Sequence, residues 1–336
     1  RCRLVTGVQT CALPISRGLT AAAGEGLPVT DSVITARGLT KRFGEVIAVD
    51  GIDFEIAPGE SFGFLGPNGA GKSTTMRMIA ATSTRTGGEL SVLGLDANKH
   101  GPEIRAQLGI VPQGDLLDEE LRVIDNLYVY GRYFGLPRAY VKERSEQLLD
   151  FAQLREKRLA RVDGLSGGMK RRLTIARGLI NNPKIMLLDE PTTGLDPQAR
   201  HILWDRLFRL KEEGTTLVVT THFMDEAEQL CDRLVVIDKG RIVAEGSPAE
   251  LIRTYATREV LEVRFGSGRN EGAAGLLDGV GERREVLPDR VLVYADNGEH
   301  ALQAVTERGL EPVTSLVRRS SLEDVFLRLT GRSLIE

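Results

Sequence analysis

The sequence predicts an α/β core followed by a smaller α+β domain. Three observations carry this expectation. Phe62 to Leu65 is a short apolar strand that runs into a glycine-rich turn, Gly66 to Ser73, and a helical pattern follows from Ser73 to Ala80. Ile185 to Leu188 is a second apolar run, closed by Asp189 and Glu190. After about Tyr255 the pattern changes to short strands separated by short helices.

The chain has 336 residues, for which two domains is the fair expectation. It is 41% apolar and 27% charged, an ordinary balance for a soluble globular protein. A net charge of -3 and a pI near 6.0 offer no basic face, so no nucleic-acid partner is expected. No apolar run approaches the roughly 18 residues that span a bilayer, so any membrane crossing belongs to another subunit. The cysteines lack paired spacing, which fits a reducing cytosol.

Residues 1–30 stand apart. Residues 5–15, VTGVQTCALPI, are what a common sequencing-library adapter encodes when translated. The first stretch, to about residue 16, is therefore expected to be an assembly artefact, and residues 17–30 a flexible tail. On that reading Cys2 and Cys11 are not native and Cys231 is the real thiol. A degenerate signal peptide is the alternative, without a convincing apolar segment or cleavage site.

From Val33 the pattern is β-rich. Ile52, Phe54 and Ile56 alternate with Asp53 and Glu55, as in a half-buried strand, and Pro58-Gly59 makes a turn. Met76, Ile79 and Ala80 should face inward. Residues 115 to 160 read as a charged helical insert with a small core of Leu127, Tyr130, Phe134, Leu148, Leu149 and Phe151. Asp196 and Pro197 read as the cap and first turn of a helix. Leu217 to Thr221 is a buried strand followed by His222, and residues 234–237 and 241–244 form a hairpin. This places one domain at 31–255 and a second at 256–336. The second reads as strands near 260–265, 283–287, 291–294 and 312–318, with helices near 272–277 and 299–308, in a ferredoxin-like arrangement. Ser320 with Glu323 gives a capping-box signal for a last helix. No chemical constellation is visible there.

Gly66-x-x-x-x-Gly71-Lys72-Ser73 is a phosphate-binding loop with a strand before it and a helix after it. Gly66, Pro67, Asn68, Gly69, Ala70, Gly71, Lys72, Ser73 and Thr74 are expected to cradle the phosphates of ATP, with backbone N–H groups and the helix N-terminus facing the anion. Lys72 neutralises the β/γ oxygens and the Ser73 hydroxyl ligates Mg²⁺. Asp189 is expected to hold Mg²⁺ through its water shell. Glu190, pointing to the opposite face of the strand end, would polarise the attacking water.

Between these two motifs lies Leu165-Ser166-Gly167-Gly168-Met169. With it, Val33 to Ile252 resembles the ATP-binding subunit of an ABC transporter. The fold this implies is a P-loop NTPase core of ABC type, with an antiparallel β subdomain, a helical insert and a small C-terminal α+β domain. The resemblance further implies that Ser166 and the Gly167 and Gly168 amides cap the γ-phosphate of ATP bound on a partner chain. Two copies would then form a head-to-tail dimer. It assigns Gln113 to Mg²⁺, the attacking water and the sensing of the membrane subunit. Asp196 falls in the dimer-contacting loop beside its capping role, and His222 matches the histidine that touches the γ-phosphate. Phe43 occupies the place of the aromatic that stacks on adenine, usually Tyr in the family; a core position in the hairpin is its alternative. His100, His201 and His300 match no motif.

Many relatives have Gln at the position of Met169. Met169 to Leu173, together with Thr221 to Glu228, is similar to cassettes of the nodulation-factor and daunorubicin export type. That resemblance implies ATP hydrolysis driving export through separate integral-membrane permease subunits, with this chain peripheral on the cytoplasmic face of the cell membrane. An importer subunit, or a soluble ATPase of the same superfamily acting on ribosomes or DNA, is the alternative. Met169, Leu173, Ala176 and Ile180 share a helix face that reads as core. Lys170, Arg171 and Arg172 read as a solvated face.

Overall fold

The computed structural model describes residues 32–266 and 269–331, and the readings of residues 1–30 lie outside the described residues. β1 (Ile34–Phe43) and β2 (Val46–Ile56) form an antiparallel hairpin. β3 (Ser61–Leu65) is buried along its whole length and enters the glycine loop, from which α1 (Lys72–Ile79) leaves. β4 (Gly87–Val92) and β5 (Leu95–Asp96) complete a first sheet, ordered β2-β1-β4-β5. The Phe54 ring of this sheet meets Phe62 and Phe64 of β3 at centroid distances of 6.1 and 5.1 Å. Those aromatic contacts fasten the antiparallel sheet to the strand that carries the loop.

α2 (Gly101–Arg105) and β6 (Leu108–Val111) lead to α3 (Val123–Tyr133), α4 (Arg138–Phe151) and α5 (Gly167–Gly178). The chain continues through β7 (Ile185–Asp189), α6 (Pro197–Glu212), β8 (Thr216–Thr221), α7 (Met224–Leu230), β9 (Arg233–Asp238) and β10 (Arg241–Gly246). The second sheet runs β10-β9-β3-β8-β7-β6, parallel from β9 to β6, with β10 antiparallel at the edge. Strands covered on both faces need apolar residues on both, which explains the unbroken runs in β3, β7 and β8.

The helical insert does not keep a core of its own, contrary to expectation. Leu127, Leu148 and Leu149 are buried in one cluster with Leu173, Ala176, Leu188 and Leu203, while Tyr130, Phe134 and Phe151 pack at its margin. A pair of helices has one inner face and no second layer, so it closes on α5. Met169 is partly buried and Leu173, Ala176 and Ile180 fully so, as their shared face predicts.

α8 (Pro248–Tyr255) starts at a capping box of Ser247 and Glu250. Then come β11 (Glu259–Arg264), α9 (Asn270–Leu276), β12 (Arg283–Val286), β13 (Val291–Ala295), α10 (Gly298–Glu307), β14 (Thr314–Arg319) and α11 (Leu322–Thr330). The third sheet is ordered β12-β13-β11-β14 and is antiparallel throughout, the ferredoxin-like order. One face buries Leu261, Val263, Val291 and Val293 with Ala301 and Val305. The other carries Glu262 between Arg290 at 3.0 Å and Arg318 at 2.6 Å.

The predicted capping box is displaced by one residue. Ser321 caps α11 and Asp324 returns to the Ser321 N–H at 2.8 Å. Arg318 holds both Asp324 oxygens, at 2.7 and 2.9 Å, and so selects Asp324 over Glu323. α11 bridges its own sheet, where Leu327 packs with Val260, Leu292 and Tyr294, and the cassette. Leu322, Val325 and Phe326 belong to the large core that holds Leu230 and Leu251. The Leu322 N–H donates to Glu228 of α7 at 2.8 Å, and Arg328 donates to the Tyr255 carbonyl at 2.9 Å.

Candidate active site

The register of the parallel sheet assembles the site. Leu65 pairs with Thr221, and Asp189 with Thr220, so β3, β8 and β7 end at one level. Neighbouring strands lie about 4.8 Å apart, so the segments that follow these ends must converge. Those segments carry Gly66, His222 and Glu190. Ligands of open parallel sheets bind at such carboxyl ends.

The glycine loop is shaped by backbone demands. Gly71 has φ +107, and a Cβ there would lie 2.4 Å from the Ala48 carbonyl oxygen. Gly69 has φ +80, also outside the range of ordinary side chains. Lys72 is buried, and its ammonium donates to the carbonyls of Gly66 at 2.7 Å and Pro67 at 3.0 Å. Burial pushes its pKa down, and the nearby Glu190 and Asp189 carboxylates oppose that shift. A cleft of about 320 Å³ is lined by Ala48, Asn68, Gly69, Ala70, Gly71, Lys72, Ser73, Thr74, Gln113 and Glu190. Ala48 is a lining residue that motif reading missed, because small size is its whole contribution.

Asp189 accepts hydrogen bonds from Ser73 Oγ, at 3.2 Å, and from Thr220 Oγ1. Hydroxyl, carboxylate and, from Gln113, amide oxygens are hard donors. So sparse a set suits Mg²⁺, which keeps much of its water.

Glu190 is buried at the centre of the remaining predicted residues. Gln113 Nε2 donates to it at 3.0 Å and Thr193 Oγ1 at 3.2 Å; His222 Nδ1 lies 3.2 Å away and Lys72 Nζ 4.0 Å away. Its direction is not set by strand alternation, as the sequence suggested. β7 ends at Asp189, and Glu190 has φ +46, a left-handed conformation that costs a non-glycine residue about 1–3 kcal/mol. Its N–H is fixed by the Thr220 carbonyl at 3.0 Å. The turn thus aims the carboxylate back over the Lys72 cleft.

Arg171 is the main correction to the sequence reading. It is not on a solvated face but 3% exposed. Its Nε donates to the Pro191 carbonyl at 2.7 Å, Nη1 to Pro112 at 2.6 Å and Gln113 at 3.2 Å, and Nη2 to Asp189 and Glu190 at 3.1 Å each. Lys170 and Arg172 do sit nearer solvent, on Glu119 at 2.6 Å and on the Ala152 carbonyl at 3.0 Å. A basic triplet gives no sign of which member turns inward. The helical phase could have shown it, since Arg171 lies four residues before the buried Ile175.

A second buried charge lies behind His222. Glu226 of α7 is fully buried, with Thr221, Thr192 and Trp204 as neighbouring donors that do not reach good hydrogen-bond geometry. Burial raises its pKa, against the pull of those donors and of Arg200. A raised carboxyl pKa favours the fold below the ordinary carboxylate range and loses that stability as pH rises toward the folded value. Glu226→Gln should therefore gain thermal stability over the parent as pH rises from 5 to 8, read as the difference between their melting curves.

The other predicted residues are placed apart from the cleft. Ser166 caps α5, accepting from the Met169 N–H at 3.3 Å, and with Gly167 it is exposed. Gly168 is half-buried at the same helix start. Asp196 caps α6 through the Ala199 N–H at 2.8 Å. Phe43 is 53% exposed, which removes its alternative as a core residue of the hairpin, and Lys41 lies 4.9 Å from its ring centre.

Comparison with known proteins places this geometry. Residues 49–193 match the ABC transporter family model, and residues 270–331 match the model of the nodulation factor export protein NodI, C-terminal domain. The Nod factor export ATP-binding protein I of Cupriavidus metallidurans is 46% identical over 90% of this chain and 99% of that protein. The protein of the same name from a Rhizobium species is 48% identical over 90% and 98%. Among solved structures, a dimeric ATP-binding cassette in a post-hydrolysis state with ADP and Pi covers 64% of this chain and 98% of its own, with 28% identity and a TM-score of 0.59. The cassette cbiO1 from Clostridium perfringens covers 67% and 92%, with 28% identity and a TM-score of 0.62. None of these matches favours a ribosome- or DNA-directed ATPase or an importer. A nucleotide-binding cleft, an acidic strand end and a ferredoxin-like C-terminal sheet, on a chain with these relatives, place it among the ATP-binding proteins of ABC transporters, in the family of the Nod factor export ATP-binding protein I.

Proposed function

We propose that this ATP-hydrolysing subunit of an ABC exporter works as a dimer of two copies, in which each ATP lies between the Lys72 loop of one chain and the Ser166 segment of the other. One observation carries the reading. The Ser166 segment caps an exposed helix start and takes no part in lining its own chain's Lys72 cleft. A helix N-terminus of this kind favours an anion, and a second chain can supply one.

Within each composite site Lys72 and the loop amides hold the phosphates, and Phe43 offers its exposed ring to adenine. Ser73, Asp189 and Gln113 would hold Mg²⁺, which supplies charge neutralisation at the β/γ oxygens. Glu190 orients and polarises the attacking water. His222 contacts the γ-phosphate from the neighbouring strand end, and Asp196 lies in the segment facing the partner.

The membrane partner docks beside Gln113. A groove of about 510 Å³ is lined by Ile110, Pro112, Leu116, Leu121, Val129, Tyr130 and Tyr133 together with Asp118, Asn126 and Arg177, with Leu116 75% and Tyr133 81% exposed. Apolar side chains left open next to a hydrolytic residue suit a cytoplasmic segment of a permease. Among the described residues no helix is long and apolar enough to cross a membrane, which fits a peripheral subunit on the cytoplasmic face. By its relatives' name the exported compound is a Nod-type factor; this chain's residues bear on the energy supply and not on the choice of compound.

Mixing two inactive chains tests the composite site. Lys72→Ala keeps a working Ser166 segment, and Ser166→Phe keeps a working Lys72 loop. Each alone should hydrolyse no ATP. An equimolar mixture should recover roughly a quarter of parental activity, since half the dimers are mixed and each has one intact site of two. No recovery would mean that each site is complete within one chain.

A further inference from the structure

We propose that Arg171 is a positioning residue for hydrolysis, which holds the helix beginning at Ser166, the Gln113 loop and the Glu190 strand end of one chain as a single unit. The inference rests on the roles given above to Gln113, Glu190 and Ser166.

A guanidinium has five N–H donors in a rigid plane. In Arg171 every one of the five ends on a backbone carbonyl, two on Pro112 and Gln113 and three on Asp189, Glu190 and Pro191. The complete donor set of one side chain is thus divided between two segments far apart in sequence. Asp115, 3.6 Å away, pairs with the buried charge, and the carbonyl dipoles supply the rest of its support. Burial accordingly weakens the hold on its proton, and Asp115 acts against that.

The acceptors are what separate this role from ordinary packing. Two of them, the carbonyls of Gln113 and Glu190, belong to residues that line the cleft, and the other three flank these directly in sequence. Glu190 is held in its left-handed turn from two sides, its N–H by Thr220 and its carbonyl by Arg171. Gln113 is held by its carbonyl while its amide donates to Glu190. Releasing both carbonyls frees the pair to drift from the water-polarising arrangement, while Lys72 keeps its own contacts with Gly66 and Pro67. Arg171 sits on α5, whose first residues follow the Ser166 cap, so any shift of that helix is passed to Gln113 and Glu190 directly.

Lysine offers three donors without the planar fork, and glutamine offers two without charge. The test compares the full chain with its R171Q and R171K variants in three measurements: ATPase kinetics, equilibrium binding of a fluorescent ATP analogue, and amide hydrogen exchange. In R171Q, kcat should fall about 100-fold, the cost of a misplaced reacting group, with analogue binding unchanged. Exchange should rise in peptides covering residues 112–114 and 190–193 and stay at parental levels in the Lys72 loop. R171K should fall between the two. Parental kcat in R171Q would overturn the inference, as would loss of binding in step with kcat. If R171Q does not fold, R171K decides by the same split of kcat from binding. A parent chain that hydrolyses no ATP would instead overturn the function proposed above, which separates the two failures.

Discussion

Glu190→Gln should lower ATP turnover by about 10²–10⁴-fold and leave ATP trapped in a closed dimer. The amide keeps the shape of the side chain and its contact with Gln113, so binding persists. It loses the negative charge that draws a proton from the attacking water. The surroundings sharpen the effect, because the carboxylate is 6% exposed and no other acid takes its place over the cleft. Asp189 does not line the cleft, and its Oδ1 accepts from Ser73 and Thr220. Phosphate release and size-exclusion elution with ATP are the measurements. Near-parental turnover would remove Glu190 from the role of base, and a monomer with ATP would remove the trapped dimer.

Phe326→Ala should cost about 3–5 kcal/mol of stability, although the residue lies in the last helix and far from nucleotide. Phe326 is fully buried, with Leu322 and Val325 beside it, in the same core as Leu188, Leu203 and Leu230. Truncating the ring leaves a cavity between α11, α7 and α8 that none of these helices can close without abandoning another contact. The Leu322–Glu228 hydrogen bond pins α11 at its start and the Arg328–Tyr255 bond pins it near its end. Denaturant unfolding should show the loss in the transition that reports the cassette. A loss confined to a separate, C-terminal transition would show that α11 belongs energetically to its own sheet.

The sheet, the glycine loop and the acidic strand end were legible because each is written in local periodicity. The capped helix at Asp196 was legible for the same reason, and Asp196 does cap the Ala199 N–H. What local pattern could not carry was partnership across long separations. Arg171 reads as one of three basic residues until the fold brings Pro112 and Pro191 to it. The direction of Glu190 depends on one positive φ, which alternation along a strand does not foresee. The helical insert read as a self-contained unit because its apolar residues are close in sequence, yet they complete a core whose other half lies on α5, β7 and α6. The capping box slipped by one residue because Arg318, on the preceding strand, chose between two adjacent acids.

The return of α11 to the cassette changes what counts as a portable piece of this gene. A graft between relatives that joins one cassette to another C-terminal region after Tyr255 would separate α11 from α7 and α8, with which it shares a core. The last helix is bound on both sides: it must be inherited with the segment around Glu228, and the sheet of residues 259–319 must still fit it, since Leu327 packs with Val260, Leu292 and Tyr294 and Arg318 holds Asp324. Substitutions at Phe326 and Leu230 would then be tied to each other over evolutionary time, although nearly a hundred residues lie between them.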